Sequence, residues 1–486
     1  MKKLCVIIIL FIIFTACGNN EYPNNDGKNV KDSETPVIEE TQDIYTAFPD
    51  IKMNGKEFII LTPEYFIARY LFNIEEETGE PLNDVAYLRD MEVEEKFGVV
   101  IKAYGVSDDN CHRELNKLVQ SGDNSIDMVL PHPSTGGAVP VLITDGLLLD
   151  WADLKYVDFT KPCWNTDMQT ALSVAGKSFY ACGDISITGQ TFSGIVFNKD
   201  LANSAGIEKH PYDSVLSGAW TMDKLMEFTK GVYIDVNGDG IKDKDDIYGY
   251  LSNRCDYVLL YSCGARVALS NADGKPELCL LNDRLPAVFD KTYNLFYSES
   301  TFLGYTNGKS GNENDAWKRF AEGGGIATSW DLGNYYYLLR PIESDIGILP
   351  FPKLDETQEN YSNIVTAGFF CVPVNAKDLD NSSIVIQALM ETSYKYLRPA
   401  FIDTVLYNKC LRDEESTQIV ELILNNKIYD FGFSFDNERL FPNILLNIIV
   451  GKNSTEFMSY YEQNAAKVQA NYDKIYDAVR ALDAKG

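Results

Sequence analysis

Short apolar runs rich in β-branched residues alternate with segments of helical period along the first part of the chain. EFIILT (57–62), VVIKAY (99–104) and IDMVLP (126–131) predict buried strands. Between them, NDVAYLRDMEVEEKFG predicts a helix opened by Asn83 or Asp84 and stopped by Gly98, and DNCHRELNKLVQSG predicts one stopped by Gly122. Strand–helix–strand–helix order argues for a parallel sheet covered on both faces. A second set follows. SGIVFNKD (193–200) reads as a strand, WTMDKLMEFTKG as a helix capped by Thr221, and PAVFDKTYNLFYSES as a helix with Pro286 in its first turn. DAWKRFAEGG, the strand GIATSW (325–330) and the run DIGILPFPK (345–353) complete it. From 381 onward the pattern is mainly helical, including NSSIVIQALMETSYKYL and a long run from Ser454. No repeat is visible. The pattern predicts an α/β protein of two lobes with a helical C-terminal region.

The ends change this picture. Lys2 and Lys3 precede eleven apolar residues, Leu4 to Phe14, and then TACG. At about 1.5 Å per residue such a run spans about 16 Å, short of a bilayer core of about 30 Å. A charged start, a short apolar run and small residues before a break describe a secretory signal over 1–16. FTAC resembles a bacterial lipobox, with Phe14 departing from the usual Leu, so Cys17 is the expected lipidated residue. Residues 18–50 are dominated by Asn, Asp, Glu, Pro and Gly and read as a disordered tether following Cys17. The roughly 435 remaining residues are too many for one typical core.

Formal net charge is −28, and loss of Lys2 and Lys3 with a signal takes it to −30. Such a surface repels phosphates, which excludes nucleic acid as a partner class. Of the 10 cysteines, the eight beyond Cys17 are dispersed without a C-x-x-C pair and read as buried free thiols.

One loop carries metal chemistry. In DVNGDGIKDKDD, Asp235, Asn237, Asp239, Asp243 and Asp246 fall at positions 1, 3, 5, 9 and 12, with Gly240 at 6 and the Ile241 carbonyl at 7. That spacing gathers the hard oxygens a calcium ion requires, and the glycine permits the sharp turn. Asp246 stands where a calcium hand usually has Glu, as in the loops of dockerin modules. All six ligands are local, so the expected Ca²⁺ is structural.

Catalytic signatures are missing. GYTNGKS (304–310) has three residues between its glycines where a phosphate loop has four, and NGDGIKD lacks the third glycine of a dinucleotide fingerprint. There is no G-x-S-x-G elbow or H-E-x-x-H, and His112, His132 and His210 are scattered. A glycosidase needs only two carboxylates, so an exported glycan-active hydrolase stays open as an alternative.

Several segments taken in order resemble the extracellular solute-binding lipoproteins of carbohydrate ABC importers. They are GLLLDWADLKYVDFTKPCWN (146–165), GKSFYACGDISI (176–187), GIVFNKDLANSAGI (194–207), GAWTMDKLMEF (218–228), the acidic loop, FAEGGGIATSW (320–330) and DIGILPFPK. The resemblance covers about 55–375 and, more loosely, the tail. It implies a periplasmic-binding-protein-like fold in which hinge-crossing strands join two lobes over one sugar. Lobe one would span 51–185 plus 360–400, lobe two 186–359, with 401–486 shared; crossovers would fall near Asp184–Thr188 and NIVTAGFFCVPVN. It implies a non-enzymatic, monomeric receptor on the extracellular face of the membrane. That receptor would hold a mono- or oligosaccharide and deliver it to a permease. A receptor for another solute, used in sensing, is the further alternative.

A sugar presents apolar ring faces and a hydroxyl rim, so binding calls for aromatic planes and oxygen acceptors. Trp330 ends the GIATSW strand, where open α/β sheets place ligands, and in the family an aromatic near this point stacks on sugar. Asp184 at a crossover, Trp164 in the KPCWN loop, Asp331 beside Trp330, and His132 after the DMVLP strand are the other candidates. Trp151, Trp220 and Trp317 read as packing residues, and Arg69 and Arg89 as surface or ion-paired.

Overall fold

The structure, a computed structural model, describes residues 44–107, 110–132, 138–189, 192–304, 313–335, 338–365, 368–402, 413–436 and 438–483. The expected signal, Cys17, most of the tether, Cys410 and nearly all of GYTNGKS lie outside the described residues. Among the described residues no helix is long and apolar enough to cross a membrane.

The first lobe is built on β1 (Lys56–Pro63), β2 (Val99–Val106) and β3 (Met128–Val129), all parallel, in the order β2-β1-β3. The second is built on β4 (Ser193–Asn198), β5 (Tyr233–Ile234), β6 (Ile247–Ser252), β9 (Thr301–Leu303), β10 (Gly325–Asp331) and β11 (Ile346–Leu349). Its order is β11-β4-β10-β6-β5, with β9 on β6, while β7 (Ala268–Ser270) and β8 (Pro276–Leu278) form a separate hairpin. β6, β9 and β10 run parallel and β4 runs antiparallel to β10 and β11. β4, β10 and β11 are buried at every position, as expected of strands covered on both faces.

The local differences from expectation have identifiable causes. The first long helix begins at Pro81, two residues early, because proline's fixed φ suits a first helical turn. Asp84 instead accepts the amides of Thr78 (2.8 Å) and Gly79 (3.1 Å). The run at 193–200 is cut at Asn198, whose side chain accepts the Leu201 amide at 2.9 Å and turns the chain into the helix Lys199–Ser204. Only Met128–Val129 of IDMVLP joins a ladder. Among the described residues all seven cysteines are free thiols; six are buried and Cys279 is exposed.

The chain leaves the first sheet after Ala181 and enters the second at Ser193, then returns between Leu349 and Phe370. The two crossing segments run side by side. Ala181 and Phe370 exchange amide bonds of 2.9 and 2.8 Å, the Ser186 hydroxyl donates to the Gly368 carbonyl (3.3 Å), and the Asn363 amide donates to the Ser193 carbonyl (2.6 Å). β12 (Asn363–Ile364) pairs with β13 (Lys427–Ile428), which ties the tail to the same place.

Candidate functional site

Parallel strands deliver side chains at their C-terminal ends, and here both sheets direct those ends to one place. β1 runs into the helix Glu64–Tyr70, which carries Tyr65 and Arg69, and His132 follows β3. β6 runs into a short turn, Arg254–Tyr257, and Asp331 closes β10. Arg69 from the first lobe, Arg254 from the second and Arg439 from the tail all act electrostatically on His132. Asp331 acts in the same way on Tyr70 of the first lobe and on Tyr257 of the second. The space bounded by these groups is the candidate cleft.

Each wall is fixed locally. His132 stacks on the buried Phe66 ring at 5.4 Å, and the Arg69 guanidinium lies 5.4 Å from the Tyr65 ring centre and 5.6 Å from that of Phe66. Tyr65 is 38% exposed, so part of its surface is open for contact. Opposite, Tyr257 stacks on Phe433 at 5.5 Å, and Arg439 lies 4.5 Å from the Phe433 centroid and 6.0 Å from that of Tyr257. Burial, and then the three guanidiniums, push the His132 pKa down to about 4, so it meets a ligand as a neutral imidazole.

Beneath the second-lobe wall lies a buried polar frame. Asn253 accepts the Cys255 amide at 2.8 Å, and Asp256 accepts the Asn253 amide at 2.8 Å, a reciprocal cap on the turn that bears Arg254 and Tyr257. The Asn253 amide group also donates to the Ser329 carbonyl (2.8 Å) and the Thr328 hydroxyl (3.0 Å), which fastens this turn to β10. Burial raises the Asp256 pKa to about 7 against hydrogen bonds, including one from the Tyr250 hydroxyl at 2.6 Å. On the tail, Asp430 caps the helix Phe431–Phe435, and Asp436 accepts the amides of Glu438 (3.2 Å) and Phe441 (3.1 Å) around Arg439. Arg439 has φ +50°, a conformation of order 1 kcal/mol uphill for an L-residue and common where a side chain must be aimed.

The five residues expected to bind are divided by the structure. His132 and Asp331 belong to the cleft. Trp330 does not line it: the indole is completely buried in the second lobe, 5.3 Å from Trp317 and 6.0 Å from Phe320. Alternation along β10 explains this, since residues 330 and 331 point to opposite faces and only one can face the cleft. Trp164 and Asp184 line a different hollow of about 440 Å³, together with Arg398, Glu421 and Lys427. Trp164 donates to Gln387 at 2.9 Å, and Asp184 pairs with Arg398 at 3.1 Å. Burial raises the Asp184 pKa to about 6 despite Arg398. Gly183 precedes it because a Cβ there would stand 2.5 Å from the Cys163 carbonyl. Arg89 is not at the surface; it is fully buried against Asp90 at 2.8 Å. Trp151, Trp220 and Trp317 are buried packing residues.

Sequence reading missed Tyr65, Arg254, Tyr257 and Arg439. Tyr65 was findable, because it follows a predicted strand end just as His132 does. Arg254 and Tyr257 follow IYGYLS, whose aromatic alternation marks a strand. Arg439 sits in FDNERLFPN, a turn-rich break inside a segment read as helical.

The acidic loop joins β5 to β6. Asp235 accepts the amides of Gly238 (2.7 Å) and Gly240 (2.9 Å), Asp239 that of Ile241 (2.7 Å), and Gly240 has φ +72°. Asp246 is buried. Burial raises its pKa, but bonds from the Asp243 and Val236 amides and the Tyr233 hydroxyl carry it below the ordinary value. The turn and the all-oxygen donor set fit calcium. In their present positions the carboxylates bond to the loop's own amides, and among the described residues no three His, Cys, Asp or Glu side chains converge on a metal position.

Two α/β lobes joined by paired crossing segments make a periplasmic-binding-protein-like fold. The solved structures with this fold include an ABC substrate-binding protein from Listeria monocytogenes in complex with cycloalternan (12% identity, TM-score 0.53, 87% of this chain and 99% of that one). An ABC solute-binding protein from Thermotoga lettingae bound with α-D-tagatose shares 13% identity at TM-score 0.56, over 86% of this chain and 100% of that one. A cyclic α-maltosyl-1,6-maltose-binding protein from Arthrobacter globiformis shares 14% at TM-score 0.54, over 89% and 100%. No protein-family model and no curated protein matches the chain.

Proposed function

We propose that this protein is the non-enzymatic, extracellular receptor of a carbohydrate ABC importer, capturing a mono- or oligosaccharide between its lobes for delivery to a permease. The observation that carries the reading is a fold of two lobes joined by paired crossing segments, whose solved examples hold sugars, with Tyr65 beside Arg69 and His132 on one lobe and Tyr257 beside Arg254 on the other. Tyr65 and Tyr257 offer planes for sugar rings; Asp331 and the guanidiniums offer partners for hydroxyls. Contact with both walls favours the closed arrangement, and that arrangement is what a permease would recognise.

Calorimetric titration of a saccharide panel should give saturable 1:1 binding with the sugar recovered intact, and Tyr257→Ala should weaken it by about 1 kcal/mol or more through lost stacking. Cleavage products, or no saccharide binding at all, would remove the reading.

Two further parts belong to this proposal. Cys17 carries the lipid that holds the protein at the outer face of the membrane, and Cys17→Ala should shift it from the membrane fraction to the medium; unchanged fractionation would contradict the anchor. Asp235, Asn237, Asp239, Asp243, Asp246 and the Ile241 carbonyl would hold a calcium ion that staples β5 to β6. Chelation should then lower the thermal midpoint of the second lobe, with recovery on adding Ca²⁺ but not Mg²⁺. Identical melting with and without chelator would count against the ion.

A further inference from the structure

The segment that carries the chain out of the first lobe holds a buried acid. Asp184 is 3% exposed, its amide donates to the Cys163 carbonyl at 3.0 Å, and its two carboxylate oxygens accept from one nitrogen of Arg398 at 3.1 and 3.2 Å. Arg398 stands on the short helix Leu397–Pro399, directly after the helix Leu379–Lys395, which Lys395 ties to Glu92 of the first lobe at 3.2 Å. Two residues on, the Ser186 hydroxyl donates to the Gly183 carbonyl (3.0 Å) and, on the returning segment, to that of Gly368 (3.3 Å). The Asp184–Arg398 pair therefore lies where both crossing segments meet the first lobe.

The pair also lines the hollow of about 440 Å³, together with Glu421, Asn425 and Lys427. Glu421 and Asn425 belong to the helix Glu414–Asn425, which is fixed to the second lobe: its Ser416 hydroxyl accepts the amide of Ile348 on β11 at 3.2 Å, and its cap Asp413 pairs with Lys199. The hollow thus lies between first-lobe and second-lobe groups beside the crossing segments, and its width follows the angle between the lobes.

An acid so placed can lose its charge without unfolding the protein. Burial raises the Asp184 pKa from the ordinary 3.8 to about 6, against Arg398 and then Lys427. Because the folded value is the higher one, the folded state takes the proton more readily, and acidification through that range adds to stability at this residue. What the proton removes is the charge on the bond to Arg398, whose side chain is 41% exposed and can turn to water. The other charged and titratable groups around the pair are Asp167, Glu421 and Lys427 in the hollow, the thiols of Cys163 and Cys182, Glu391 and Lys395 on the helix Leu379–Lys395, and Glu64, Tyr65, Arg69 and Tyr70 on the helix Glu64–Tyr70. Burial pushes the Cys182 thiol up to about 12 and Cys163 higher still, so neither changes charge between pH 5 and 7.5.

We propose that the Asp184–Arg398 pair is a proton-operated pin of the hinge: charged, it holds the crossing segments against the first lobe; neutral, it releases Arg398, slackens those segments and lets the lobes reorient, so that solute affinity depends on mildly acidic pH. The link to solute rests on the receptor reading; the pin itself does not.

The test is hydrogen exchange on the full chain without sugar at pH 7.5 and pH 5, each rate corrected for intrinsic exchange at that pH, in peptides covering 181–189 and 368–373. Protection in the wild type should fall about tenfold at pH 5, the loss expected for one charge-assisted bond. Asp184→Asn should show the low value at both pH values, and Arg398→Gln should move the midpoint of the change to higher pH, since Arg398 holds the Asp184 pKa down. Unfolding midpoints of both variants guard against a general loss of structure. Protection equal at the two pH values in the wild type, or a pH response kept by Asp184→Asn, would overturn the pin. Calorimetry with the saccharide panel at both pH values should show affinity that changes in the wild type and not in Asp184→Asn. Affinity independent of pH would overturn the link to solute, whereas the stated exchange response with no saccharide bound would overturn the receptor reading and leave the pin standing.

Discussion

Trp330→Ala is expected to cost about 3–5 kcal/mol of folding stability, the usual penalty for emptying a large, fully enclosed aromatic site. The indole is 0% exposed and packs on Trp317 and Phe320, while its strand is hydrogen-bonded on both sides, to β4 and to β6. Denaturant unfolding should show the loss as a lower midpoint, while the fraction that folds keeps nearly full saccharide affinity. A variant of unchanged stability that no longer binds sugar would return Trp330 to the cleft and contradict its place in the core.

Asn253→Ala should cost about 3 kcal/mol and disturb binding as well. The side chain is 1% exposed and joins three partners: the Cys255 amide, the Ser329 carbonyl and the Thr328 hydroxyl. Alanine takes the acceptor from the buried Cys255 amide, an omission costing about 1–3 kcal/mol, and removes one bond each from the Ser329 carbonyl and the Thr328 hydroxyl, which keep Trp317 and Leu251. The turn it caps carries Arg254 and Tyr257, so the same change should loosen one wall of the cleft. Asn253→Asp preserves the acceptor for Cys255 but loses the donor to Ser329, and should fall between the two. Near-wild-type unfolding and binding by Asn253→Ala would show that the frame does not position the site.

These two residues also show what was legible in advance. β1 was readable because the five consecutive residues FIILT have no comfortable alternative to a buried strand; β2, read as buried from VVI, is a strand whose alternate positions are exposed. The rule that ligands gather at strand ends pointed to His132, which stacks on Phe66 beside Tyr65, and to Asp331 at the close of β10. It failed at Trp330, because a strand-end position does not say to which face a side chain points, and a one-residue shift inverts the answer. Asp184, read at a crossover, and Trp164, read in the KPCWN loop, line one hollow. Their partners Arg398 and Gln387, more than 200 positions away, come into place only once the chain has returned from the second lobe. Arg439 was invisible for the same reason: its meaning comes from Phe433, Tyr257 and His132, which the chain brings together from three regions.

The receptor account is tested most directly by a crystal structure of the protein grown with a saccharide that binds it in calorimetry. The account predicts an uncleaved sugar between the lobes, a ring face against Tyr65 or Tyr257 and polar atoms within hydrogen-bond distance of Arg69, Arg254 or Arg439. A sugar seated in the hollow beside Trp164 and Asp184, with the aromatic cleft empty, would contradict it.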